Sequence, residues 1–215
     1  MKVYKLTNQK FMTHKNTLWG EGVTHETSGS GPMCSSGWLH YYHDPYLAVL
    51  LNVLHAQISN PLLWEAEAEG EYRDDRGLKG ACTKLTTIRQ IPLPEISLEE
   101  RVGFAIRCAK LTNLEEFWVK WADEWISGKN RQIDILQSMK DKTCFNNAAY
   151  LAINAEYRWR LYKTNPGVNT KYYESECIYM SAYTVSKSID YAIEKGLNVR
   201  LIDIVKEAFP PYNPS

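Results

Sequence analysis

Pro92 and Pro94 constrain this chain more than any other feature, because the residues on their two sides follow different periods. Proline donates no backbone N–H and fixes φ, so neither a sheet ladder nor a helix runs undisturbed through the pair. Before it, strand and turn signals dominate; after it, helix signals do. Such a chain is expected to be α+β: an N-terminal small antiparallel sheet with one buried helix, then a C-terminal antiparallel helical bundle. The expected modules are residues 1–96 and 97–215. With 215 residues, 44% of them hydrophobic, there is enough apolar material for a real core.

In the front half, residues 1–6 and 38–42 read as short strands. Gly20, Gly22, Gly29, Gly31 and Pro32 mark a long loop without period. Asp44-Pro45 is a helix start, since aspartate accepts from unpaired backbone N–H groups and proline at the first helical position already has the helical φ. Residues 46–56 are apolar nearly all round, so that helix is expected to be buried, with Asn60-Pro61 ending it. From Leu62, Trp64, Ala66 and Ala68 alternate with Leu63, Glu65, Glu67 and Glu69, a strand with one wet face. Arg73-Asp74-Asp75-Arg76-Gly77 is a polar turn. The Thr- and Ile-rich segment 82–91 returns, completing an antiparallel hairpin.

Beyond the prolines, Ser97 and Glu100 fit a capping box ahead of a helix over 98–111. Asn113 and Glu116 repeat the device before 117–126, and Gly128 stops that helix. Further helices are expected over 130–140, 144–162, 170–195 and 199–209. Ala148, Ala152, Ala155, Trp159 and Tyr162 form a stripe, and Ile178, Ala182, Val185, Ile189 and Ala192 form another with the same spacing. Such stripes pack at a shallow angle, and alanines let the axes approach. The two helices are expected to be the spine of the bundle. Trp118, Trp121 and Trp125 share one helix face and read as a core seam.

Charge narrows the function classes. Lys+Arg and Asp+Glu are equal at 25 each, which argues against a general electrostatic grip on nucleic acid or an anionic membrane. No apolar run reaches the length of a membrane span, and residues 1–5 lack the apolar core of a signal peptide. A soluble, cytoplasmic protein is expected. Cys34, Cys82, Cys108, Cys144 and Cys177 are dispersed and read as reduced, buried thiols. P-loop, GxGxxG, HExxH and GxSxG elements are absent from the sequence, so the usual signatures of nucleotide hydrolysis, dinucleotide redox chemistry and ordinary hydrolases are missing.

The richest candidate segment is Gly37 to Tyr46. Trp38, His40, Tyr41, Tyr42, His43 and Tyr46 place four aromatic rings and two imidazoles in a strand-to-helix junction. Such groups suit the capture of a planar or phosphorylated ligand, or the anchoring of a partner. His40 and His43 point to opposite faces of a strand, so a metal centre is not expected. Glu67, on the acidic strand face, and Arg158, between Trp159 and Tyr157, complete the candidates.

These residues also carry resemblances. Cys34, Gly37, Trp38, Leu39 and His40, followed by Asp44-Pro45 and an apolar helix, then Trp64-Glu65-Ala66-Glu67-Ala68-Glu69-Gly70-Glu71, then Cys82-Thr83-Lys84-Leu85-Thr86-Thr87, resemble a domain of unknown function of tailed phages and bacteria. The likeness covers residues 1–95. Trp121-Ala122-Asp123-Glu124-Trp125-Ile126-Ser127-Gly128 and the alanine stripes are similar to helical bundles of the immunity-protein type. The strand–helix–strand order of the front half also resembles small ADP-ribosyltransferases, in which an early His or Arg, an aromatic or Ser, and a late Glu grip NAD; here Tyr4-Lys5 stands at the early position, in place of the His or Arg.

Three expectations follow. The first is a non-enzymatic accessory protein of a phage or mobile element. It would need no cofactor and bind a host or defence-system protein through Trp38, Tyr41, Tyr42 and Tyr46. The second, implied by the last resemblance, is an NAD-using ADP-ribosyltransferase-like enzyme with Lys5, His40, Tyr41 and Glu67 at its centre. The third is a sponge for a small nucleotide-like signal, expected to be held without turnover in a cleft between the two halves, with His40, His43 and Arg158 nearby.

Overall fold

The computed structural model describes residues 1–112, 115–129, 148–164, 167 and 169–214. They are mixed α+β, with an antiparallel sheet in the N-terminal half of the chain and helices packed on one another in the C-terminal half. The chain separates into two compact units, Met1–Glu95 with Phe209–Ser215, and Ile96–Ala208. The break falls just past Pro92 and Pro94. The final residues do not follow it: from Phe209 the chain belongs to the first unit.

The first unit is built on a long hairpin. Strand β6 (Leu62–Asp74) pairs with β7 (Gly80–Ile91). Its turn is tied by Leu78 N–H donating to Asp75 O at 2.8 Å and Asp75 N–H to Lys79 O at 2.9 Å. The turn lies slightly later than expected, because Arg73 and Asp74 still pair with Ala81 and Gly80. The register shifts between Glu69 and Tyr72, where Gly70 takes φ +80° and Glu71 N–H donates to the Thr83 hydroxyl. A Cβ at Gly70 would meet that hydroxyl oxygen at 2.2 Å, so both the bulge and the close approach require glycine there.

Strand β1 (Lys2–Thr7) pairs with β6, setting Val3 opposite Ala66 and Lys5 opposite Trp64. Residues Met12–Thr13 (β2) and Thr17–Leu18 (β3) form a small separate ladder. Inside the segment expected to be a structureless loop, Thr24–Glu26 forms β4 on the outer edge of β7. Three residues carry too little pattern to be read; the strand exists because β7 offers it an edge, with Thr87 N–H donating to Val23 O and Thr27 N–H to Thr83 O.

Strand β5 (Leu39–Tyr41) pairs with the start of β7. The next residue, Tyr42, exchanges two backbone hydrogen bonds with Tyr4 of β1, at 2.9 and 2.8 Å. Pairing therefore runs β1–β6–β7–β5 and back to β1, a closed ring of backbone contacts. Val3, Trp19, Leu39, Tyr41, Ala66, Ala68, Cys82 and Leu85 pack together as one buried cluster.

Helix α1 (Pro45–Leu51) starts as expected, with the Asp44 carboxylate accepting from Tyr46 N–H at 2.8 Å. It is shorter than expected. Asn52 clamps both the N–H and the carbonyl of Ile58, and Gln57 takes φ +52°, so the chain turns away from the helix axis.

In the second unit, α2 (Leu98–Lys110) opens on the expected capping box: Ser97 Oγ accepts from Glu100 N–H and Glu100 Oε2 from Ser97 N–H. Helix α3 (Glu116–Ile126) ends at Gly128, φ +76°. Helices α4 (Ala148–Thr164) and α5 (Thr170–Glu194) pack against each other, with Ala148, Ala152, Ala155, Ala182 and Ala192 buried, and α2 packs on both. Helix α6 is Leu201–Ala208. Trp118, Trp121 and Trp125 are buried with Val102, Ile106, Ala152 and Trp159, so the tryptophan seam is core. The helix expected over 130–140, and Cys144, lie outside the described residues.

Candidate functional site

The first unit contains a cavity of about 820 Å³. Every residue lining it belongs to that unit. Strand β1 contributes Lys5; the β2–β3 ladder and its exit contribute Thr13, Lys15 and Trp19. His25 and Glu26 come from β4, Trp38 to Tyr42 from the β5 segment, and Lys79 from the hairpin turn. His55 and Ile58 arrive because α1 stops early and the Asn52 clamp folds the following turn inward. The size suits a nucleotide-sized or smaller ligand.

Lys5 is the most unusual side chain in the wall. It is only 8% exposed and shares a strand face with Val3 and Thr7, both fully buried. Its Nζ donates to His40 O at 2.7 Å and lies 4.7 Å from the Trp19 ring centroid. Among the described residues no carboxylate pairs with it. Burial pushes its amine down to about 8. A buried ammonium without a counter-ion is costly, and a carbonyl and an aromatic face offset only part of the cost. Three lysines (Lys5, Lys15 and Lys79) line the cavity against one glutamate, Glu26. Glu26 itself faces Lys84 at 3.9 Å, so the cavity carries a positive balance.

His40 and His25 in the wall are tied to backbone, and burial lowers the pKa of His40 and His55. His40 Nε2 donates to Met33 O at 2.6 Å, which fixes its proton on that nitrogen, and burial lowers its pKa. His25 Nε2 donates to Leu18 O at 2.7 Å. Burial, with the Lys79 charge adding to it, pushes His55 down to about 4, and its buried Nδ1 has no hydrogen-bond partner among the described residues. His55 lies over the Tyr42 ring at 6.1 Å.

The aromatic walls are fixed by their own polar handles. Trp38 Nε1 donates to Gly31 O at 3.1 Å, Arg73 sits over its other side at 5.0 Å, and Trp19 Nε1 donates to the Thr13 hydroxyl at 2.9 Å. Tyr41 lies flat across its register partner Gly80; a Cβ there would meet the ring at 2.3 Å. Burial raises the pKa of both Tyr41 and Tyr42, so both phenols stay neutral.

Of the residues singled out in the sequence, Trp38, His40, Tyr41 and Tyr42 line the cavity together. Anchoring a host protein through these rings requires them to be partly open to water. Instead Trp38, Tyr41, Tyr42 and Tyr46 are 4%, 2%, 5% and 8% exposed. The physical reason is the ring of strands, which turns the junction inward. His43 is outside the cavity, its Nε2 2.9 Å from Asp74 Oδ1. Tyr46 stacks on Phe209 at 4.6 Å, with Tyr212 edge-on at 6.2 Å. Glu67 is exposed and lies 4.0 Å from the N-terminal amine. Arg158 lies on α4 in the other unit, over the Tyr172 ring.

Sequence reading missed Trp19, His55 and Lys79. Trp19 is an isolated aromatic in a turn-rich stretch, the one signal that marks it. His55 and Lys79 reach the cavity through tertiary turns. Among the described residues no three histidine, cysteine or acidic side chains converge as metal ligands, and no helix is long and apolar enough to cross a membrane. No family model matches this chain, and neither a curated protein nor a solved structure matches it.

Proposed function

We propose that the first unit captures a small, planar, anionic ligand in its cavity and holds it without turnover. The observation that carries this reading is Lys5: a buried amine in a cavity wall with no carboxylate partner among the described residues. An anionic ligand supplies that partner, Lys15 and Lys79 add attraction at longer range, and the fixed faces of Trp19, Trp38 and Tyr42 suit a flat ring. In the setting implied by the resemblance to the phage-borne domain, such capture withdraws a diffusible nucleotide-like signal from a host defence system.

This reading fits better than docking of a host protein through Trp38, Tyr41, Tyr42 and Tyr46, because those rings are buried. It also fits better than ADP-ribosyl transfer, because Glu67 faces the N-terminal amine and does not line the cavity. The test is calorimetry with a panel of mono-, di- and cyclic nucleotides. Binding is expected for the wild type and about tenfold weaker for Lys5→Met, the loss of one charge-assisted contact. Ligand released by denaturation is expected unchanged. Equal affinity of wild type and Lys5→Met for every ligand that binds, or chemically altered ligand, rejects the proposal.

A further inference from the structure

Most lysines are poor nucleophiles at neutral pH because they are hydrated and protonated. Burial in an apolar wall reverses both conditions, and this is how lysines become able to form imines. The two kinds of lysine at this cavity differ in that respect. Lys15 is exposed, and Lys79 is partly exposed with its Nζ 3.4 Å from Cys34 Sγ. Lys5 is buried with its Nζ over the Trp19 ring, and its side chain's only polar contact among the described residues is the His40 carbonyl.

We propose that Lys5 also captures carbonyl compounds covalently, so that a planar, anionic aldehyde or ketone is held in this cavity by a bond as well as by charge. The inference rests on the ligand-capture reading above and adds a bond to it. The neutral Nζ adds to the carbonyl carbon while the C=O π pair moves to oxygen. Proton exchange with solvent gives the carbinolamine. Its C–O bond then breaks, water leaves, and the nitrogen lone pair forms the C=N bond. One amine and one carbonyl give one imine and one water, with no oxidant or reductant. The His40 carbonyl accepts a hydrogen bond from the protonated imine as it does from the ammonium. Because burial already pushes the amine down to about 8, a substantial neutral fraction exists near physiological pH. Lys15 and Lys79 attract the ligand's anionic group without competing for its carbonyl.

Pyridoxal 5′-phosphate is a suitable probe, being planar, anionic and an aldehyde. Pyridoxine 5′-phosphate has the same outline without the carbonyl. The full chain is incubated with the aldehyde, reduced with borohydride, digested and mapped by mass spectrometry. The expected result is one label per chain, on the peptide carrying Lys5, with labelling roughly tenfold or more lower in Lys5→Arg. Circular dichroism checks that the variant folds, and the wild-type map needs no variant. Label spread over surface lysines with Lys5 unmodified overturns the inference. If pyridoxine 5′-phosphate binds and Lys5 stays unlabelled, non-covalent capture stands and the imine falls. If Lys5 is labelled and pyridoxine 5′-phosphate neither binds nor protects it, the imine stands and the anion-capture reading falls.

Discussion

The Lys5 amine donates to the carbonyl oxygen of His40 across 2.7 Å, joining β1 to β5 through a side chain just beside the place where their backbones join through Tyr4 and Tyr42. One strand closure thus creates the cavity and sets its cation. The same contact sets a pH dependence. Lys5 falls from 10.5 to about 8 on folding, a difference worth about 3 kcal/mol. Between those values the unfolded chain keeps a proton that the folded chain has lost, so this group's contribution to stability rises with pH across the window and is level below it. Urea midpoints of wild type minus Lys5→Met are expected to climb from about pH 8 to about pH 10.5. Taking the difference cancels the buried tyrosines, which titrate oppositely. Parallel curves for the two proteins count against a deprotonating Lys5.

Gly80 is the platform for Tyr41. A methyl group there would stand 2.3 Å from the ring, and Tyr41 has no room to retreat at 2% exposure. Gly80→Ala is expected to cost about 2–3 kcal/mol by overpacking and to weaken ligand binding with it. Denaturant unfolding and calorimetry on the same variant measure both. Unchanged stability would mean that the ring does not sit over this strand.

The segment after α6 belongs to the first unit because Phe209 covers Tyr46 and the Tyr212 hydroxyl donates to Pro92 O at 2.5 Å. Phe209→Ala removes a ring that is 6% exposed, and a loss of about 3 kcal/mol is expected. Hydrogen exchange should localise it, with faster exchange in α1. Faster exchange confined to α4 and α5 would contradict this placement.

His43 and Asp74 form a half-exposed pair outside the cavity, with side chains 31% and 52% exposed. His43→Ala is expected to shift stability by under about 1 kcal/mol and leave ligand affinity unchanged. Loss of binding in this variant would relocate the site toward the sheet surface.

The capping box at Ser97 is independent of the cavity. Ser97→Ala is expected to lose about 1 kcal/mol of stability, measured by thermal unfolding, with ligand affinity intact.

What could be read from the sequence was governed by neighbours along the chain. The capping box at Ser97, the Asp44-Pro45 start of α1, the alternation of β6 and the tryptophan face of α3 all follow from spacing and side-chain chemistry within a few residues. So does the change of grammar at Pro92, which separates strand from helix. The candidate segment was also found this way, since Trp38, His40, Tyr41 and Tyr42 are adjacent.

The tertiary structure decided which way that segment faces. Alternation in β5 is only three residues long, and its direction was set by closure onto Tyr4, which no local pattern encodes. That closure turned the rings inward, brought Trp19, His55 and Lys79 to them from distant turns, and left Glu67 and Tyr46 outside. It also placed Lys5 where water is scarce. Local sequence fixes conformation because its interactions span a few bonds. The cavity depends on contacts between residues tens of positions apart, whose meeting is determined only when all the strands have paired.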